Sequence, residues 1–181
     1  PRLLWPGKGA TPPLHASLHL AERYRPDLAQ DPPNRLYAGD NLAVMHALRD
    51  ELAGQIQLIY IDPPFATGSA FGAPVRPGGD TPARLHVAYR DAWGPTPTAF
   101  LQMMYDRLLL MRDLLAPQGS IFVHLDRRIN SYVRLLLDEI FGPERLVNEL
   151  VWCFRQGGRG AQAFSHKHHT IYWYARNRDY Y

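Results

Sequence analysis

Asp62-Pro63-Pro64-Phe65 carries the densest chemistry in the chain. It follows Gln57-Leu58-Ile59-Tyr60-Ile61, an apolar run that reads as a strand buried on both faces. Prolines have no N–H to give to a ladder, so the strand must stop at Asp62 and the chain must turn. The missing N–H groups also leave carbonyls at the turn free to accept from a ligand. A carboxylate, a carbonyl and an aromatic face then lie within one tetrapeptide. Together they would grip an aromatic ring bearing an exocyclic amine: the oxygens accept both N–H bonds, and Phe65 stacks on the ring. Holding both hydrogens draws the nitrogen toward a tetrahedral geometry whose lone pair can attack an electrophilic methyl group. A plain turn is the competing reading of the tetrapeptide. The clamp is favoured by the buried strand before it, the long loop after it, and a second acid, Asp40, one predicted strand earlier.

A second candidate region is the Gly-rich stretch over residues 155–169, which crowds together Arg155, Arg159, His166, Lys167, His168 and His169. A basic loop of this kind can track phosphates, with the alternative of a solvated hairpin tip. No Cys or carboxylate stands near its histidines at ligand spacing, so no metal is expected there. His124 and Asp126 fall near a strand end but lack the Ser or Cys of a hydrolase, and Asp126 reads as a helix cap.

The elements that must position these groups follow from periodicity. A short strand is expected over 35–38. Asn41 then caps a helix with Leu42, Met45, Leu48 and Leu52 on one face, and Gly54 ends it. Residues 66–98 are rich in Gly and Pro and read as one long functional loop. A helix over 99–115 repeats Phe100, Met104, Leu108, Met111 and Leu115 at three- and four-residue steps, until Pro117-Gln118-Gly119 breaks it. A strand over 120–125, a helix carrying Ile129, Val133, Leu136, Leu137 and Ile140, and strands over 147–154 and 170–174 complete the pattern. Strands alternating with helices predict an α/β domain with a mostly parallel sheet flanked by helices. In such sheets ligands bind beyond the carboxyl ends of the strands, where Asp40 and Asp62 would face one crevice.

Residues 1–34 hold seven prolines and read as an extended arm with a short helix over 14–23, and residues 35–181 as the ordered domain. The 181 residues suffice for one domain, and 46% hydrophobic with 20% charged residues excludes a disordered composition. No apolar run approaches the ~20 residues of a membrane span, no secretory leader is visible, and a single cysteine, Cys153, fits a reducing cytoplasm. Basic residues exceed acidic ones by 20 − 17 = 3, a balance that permits an anionic partner. All but Lys8 and Lys167 of those basic residues are arginines, whose planar fork suits phosphate and base edges. The start at Pro1 and the stop on an aromatic run suggest a piece of something longer.

Beyond these residue-level readings, residues 58–65, Leu-Ile-Tyr-Ile-Asp-Pro-Pro-Phe, resemble the catalytic motif of amino-methylating DNA methyltransferases. The likeness extends to residues 36–42, 119–126, 137–142, 148–152, 167–172 and 174–177, in the order of the permuted β-type enzymes. Type III and related adenine-specific modification enzymes are the nearest kind. The resemblance implies a Rossmann-like methyltransferase fold, incomplete in this chain, and methyl transfer from S-adenosylmethionine to N6 of a flipped-out adenine. It assigns Asp62 and the Pro63 carbonyl to N6, Pro64 to the rigid turn, Phe65 to the base, and Asp40 with Asn41 to the cofactor; helix capping is the other reading of Asp40. Arg155, Arg159, Lys167 and His168 would meet double-stranded DNA, and a restriction subunit and a homodimer stay open. The glycine-rich cofactor turn of the family is absent from these residues, so the chain alone is expected to be inactive. A non-catalytic DNA-binding remnant and an RNA-directed amino-methyltransferase are the rivals.

Overall fold

The computed structural model describes residues 2–10, 16–22, 34–75, 84–94, 97–155, 162 and 164–180. Asp40 opens the first helix: its side chain accepts from the backbone N–H groups of Leu42 and Ala43, which the helix itself cannot satisfy. Helix α1 (Asn41–Leu52) is therefore capped one residue earlier than expected, and Gly54, at φ +70°, turns the chain out of it. Residues 35–38, expected to form a strand, join no ladder among the described residues.

Strand β1 (Ile56–Ile61) ends at the double proline as anticipated. The segment read as one long loop instead contains an antiparallel hairpin, β2 (Ala70–Val75) and β3 (Arg84–Arg90). Gly72 and Pro74 hid β2, since both residues are poor strand formers. Helix α2 (Thr98–Leu114) runs directly into β4 (Leu115–Leu125), and α3 (Asn130–Phe141) precedes β5 (Leu146–Cys153) and β6 (His168–Ala175). The helix ends at Leu114, and Pro117-Gln118-Gly119, expected to precede the strand, lies within β4 and displaces its register: Ile56 aligns with Leu115, and Leu58 already with Ser120. A Cβ on Gly119 would stand 2.7 Å from the Ile56 carbonyl oxygen, so glycine is what permits this close approach.

The main sheet has the order β1-β4-β6-β5. Only β1 and β4 are parallel; β4–β6 and β5–β6 are antiparallel. The expected mostly parallel sheet is thus mixed, because β5 and β6 form a hairpin-like pair and β6 returns beside β4. One face packs under α2 and α3, where Ile121, Val123, Leu125, Leu108, Leu136 and Tyr174 are fully buried. Tyr174 donates to Asp138, which also takes both contacts from Arg134 Nε, tying α3 to β6.

The opposite face is open. Leu58 and Tyr60 of β1 are 60% and 57% exposed, so β1 is not buried on both sides as its composition suggested. The N-terminal residues 2–10 dock rather than stray: Lys8 Nζ meets both Glu139 oxygens at 2.7 Å and lies 4.8 Å from the rings of Trp5 and Tyr105. No helix is found over residues 16–22, and the remainder of that predicted helix lies outside the described residues.

Candidate active site

Alternation along β1 decides where the chemistry points. Ile59 and Ile61 pack toward the core, so Leu58, Tyr60 and the following Asp62 project to the open face. The parallel neighbour β4 sends His124 to the same face, since Tyr60 aligns with Phe122 and His124 lies two residues further on. His124 Nδ1 stands 3.4 Å from Asp62 Oδ1 and 3.4 Å from the Tyr60 hydroxyl. Asp62 remains 55% exposed by side chain, so a ligand can reach its carboxylate.

β6 completes the cluster. Ile171 pairs with His124 across the antiparallel ladder, which makes His169 the diagonal neighbour of His124 on the same face. His124 Nε2 and His169 Nδ1 are 3.0 Å apart. Burial, and next the nearby His124, push the His169 imidazole below its ordinary pKa, partly offset by Asp126 and Asp62. Phe65 sets its ring edge-on to both imidazoles, at 5.6 Å from His124 and 5.2 Å from His169, and Phe154 meets His169 at 4.9 Å. Asp62 and His169 engage opposite nitrogens of His124, so the groups form a line rather than converge on a metal-sized point.

Behind Phe65 lies a latch that the sequence did not reveal. Asp91, 1% exposed, accepts from the backbone N–H groups of Ala66 and Thr67, from the Thr67 hydroxyl and from Trp93 Nε1. Burial raises its pKa, but the bonds from Thr67, Trp93 and Ala66 outweigh burial and hold it below the ordinary carboxylate value. Gly68 N–H also donates to the Asp91 carbonyl, and Asp91 N–H to that of Ser69. Ala66, at φ 52°, is held in the left-handed region, a conformation that costs an alanine about 1 kcal/mol or more. The base of the β2–β3 hairpin thereby fixes the stretch right after Asp62-Pro63-Pro64-Phe65.

The other sequence candidates lie apart from this cluster or at its edge. Asp40 is held at the start of α1, not at a strand end, with one oxygen on the helix amides and the other 3.5 Å from Arg107 Nη2. Asn41 Oδ1 accepts from Arg107 Nε at 2.7 Å. Arg155 and Lys167 bracket the β5–β6 connection, where Lys167 Nζ donates to the Arg155 carbonyl and Phe154 N–H to that of Lys167. His168 is exposed, whereas its neighbour His169 faces the cluster. Arg159 lies outside the described residues. Asp126 is buried and accepts from the Arg128 N–H and guanidinium, while its carbonyl accepts from Asn130 N–H, so it organises the turn leading into α3.

Much of the chain is similar to known DNA-modifying proteins. The type II methyltransferase M.EcaI of Enterobacter cloacae is 38% identical over 116 residues, covering 64% of this chain and 23% of the relative. The EcoPI Mod subunit of a type III restriction-modification enzyme, from Escherichia phage P1, is 31% identical over 160 residues, covering 81% of the chain and 25% of the relative. The chain thus spans about a quarter of the length of these relatives. Among solved structures, the PvuII cytosine-N4-specific DNA methyltransferase superposes with a TM-score of 0.53 at 15% identity, covering 78% of this chain and 48% of that one. This likeness establishes the Rossmann-like methyltransferase fold. A family model described as DNA methylase matches residues 56–181, the stretch that runs from β1 through β6 and holds Asp62, His124 and His169, and the chain belongs to that DNA methylase family.

Proposed function

We propose that Asp62-Pro63-Pro64-Phe65 is the target-base clamp of an S-adenosylmethionine-dependent DNA methyltransferase that modifies adenine N6. The observation that carries this reading is the exposed Asp62 carboxylate at the carboxyl end of β1, beside Phe65 and on the sheet's open face. Asp62 and the Pro63 carbonyl accept the two N–H bonds of the extruded base, and Phe65 packs on its ring. The prolines fix that geometry in advance, and the Asp91 latch keeps Phe65 and Ala66 from relaxing out of it. An acidic residue at position 62 supports an amine carrying two hydrogens as the target. The choice of adenine follows from the resemblance of residues 58–65 to adenine-specific enzymes; the names of the Mod relatives support a restriction-modification setting with a restriction subunit as partner, and a homodimer is the other assembly proposed.

Asp40 offers part of what the methyl donor needs. It keeps a carboxylate oxygen beyond the helix cap, solvent-facing and near Arg107, able to accept from an amine or hydroxyl, and Asn41 lies beside it. The donor, when bound, supplies a sulfonium-activated methyl group. Arg155 and Lys167 on the β5–β6 connection, Arg159 between them in sequence and His168 at the start of β6 would track the DNA backbone, an electrostatic role that weakens as salt rises. Among the described residues no helix is long and apolar enough to cross a membrane, and action on genomic DNA supports a cytoplasmic location.

The test is methyl incorporation into duplex DNA and, separately, RNA by the full-length protein carrying this chain. N6-methyladenine in DNA is the expected product, and Asp62→Ala should lower its formation by at least roughly 100-fold. A product confined to RNA, or to cytosine, would overturn the assignment.

A further inference from the structure

Of the groups facing Asp62, His124 is placed to do more than pack. Its two ring nitrogens are each engaged by a polar partner, Asp62 and Tyr60 on one side and His169 on the other. Such a line of acceptors and donors, ending at a half-buried imidazole, is the arrangement a moving proton requires. An exposed surface pair would have no reason to be enclosed edge-on by Phe65 and Phe154.

We propose that His124 and His169 are positioning residues that drain the proton from Asp62 during methyl transfer. The idea rests on the reading of Asp62 as the amine clamp. As the N6–methyl bond forms at the expense of the donor's sulfur–methyl bond, whose electron pair stays on sulfur, N6 is left with one proton too many. Asp62 accepts that proton and passes it to His124 Nδ1. The Nε2 proton of His124 then moves to His169 Nδ1, and the Nε2 proton of His169 leaves to solvent. When product departs and water reaches Asp62, the same exchanges run backwards and restore both tautomers. The charged and titratable groups around the path are Asp62 and Tyr60 from β1, Asp126 from the turn after β4, and His168 beside His169. Burial and His124 both disfavour a charged His169, so its Nδ1 is kept open to accept the proton.

The experiment measures single-turnover methyl transfer by the full-length protein across pH for the native protein, His124→Gln, His169→Phe and Asp62→Ala. His169→Phe keeps a ring against Phe65 and Phe154 while removing both nitrogens. The native rate should fall on acidification as His169 becomes charged and can no longer accept. Each histidine variant should lose roughly tenfold or more in rate at neutral pH and flatten that acid limb, with DNA affinity within about twofold of native. A second readout uses the protein labelled with ¹⁵N at histidine: His124→Gln should move the His169 titration upward, toward that of an ordinary imidazole. Native rates and a native acid limb in both histidine variants, with Asp62→Ala inactive, would overturn the proton path and leave the clamp intact. An active Asp62→Ala would instead remove the clamp, and the path with it.

Discussion

The two faces of the central sheet are built from the same strands yet do opposite work. On β4, Ile121, Val123 and Leu125 are wholly buried beneath α2 and α3. The residues between them, Phe122 and His124, turn the other way, where Phe122 stacks on Trp173 at 5.2 Å and His124 meets Asp62. Burial of branched aliphatic side chains supplies stability in proportion to area, whereas polar groups on that covered side would carry a desolvation cost. The closed face therefore holds the fold, and the open face is free to carry titratable groups that must meet a ligand. The candidate site lies on the less covered face, and the Asp91 latch supplies locally the rigidity that burial supplies elsewhere.

That division can be broken from either side. The largest effect is expected on the covered face: Leu136→Ala, at a fully buried site, should destabilise the chain by about 2–5 kcal/mol in denaturant unfolding. Asp91→Ala should cost about 1–3 kcal/mol, since it strands the N–H groups of Ala66, Thr67 and the Trp93 indole, and it should also slow methyl transfer by loosening Phe65. The Asp91 contribution has a definite pH sense. Its carboxyl is held below the ordinary value of 3.8, so the contribution is complete above that pH and disappears as pH falls through the lower folded value. Acid unfolding of the native protein and of Asp91→Ala should accordingly converge at low pH. The smallest effect belongs to the open face: Leu58→Thr, at a site 60% exposed, should move stability by no more than about 0.5 kcal/mol. A loss at Leu58 as large as at Leu136 would mean that the open face is not open in the folded protein.

How legible these features were in sequence varies with how local their cause is. Helices α2 and α3 were readable because three- and four-residue spacing of Leu, Met and Ile is a property of the segment itself. The end of β1 was readable because two prolines forbid a ladder. Strand direction was not, because the antiparallel placement of β6 between β4 and β5 depends on partners far along the chain. Residues 35–38 have strand-like composition but no ladder partner among the described residues, and β2 has partners in spite of its Gly72 and Pro74. The proposed clamp is visible in the sequence as a tetrapeptide. Its supports are not: His169 reaches His124 only through the β4–β6 register, and Asp91 reaches Ala66 only because the hairpin closes. Asp40 allowed two readings, and the structure shows the capping one directly while leaving an oxygen over for the other.

Asp62→Asn in the full-length protein tests the central claim most directly, because it keeps the size of the side chain and removes the charge that would hold the base amine. Unfolding should shift by no more than about 0.5 kcal/mol at this exposed site, while single-turnover methylation of duplex DNA drops by roughly 100-fold or more. A methylation rate equal to that of the native protein would contradict the account and reduce the double proline to a bend.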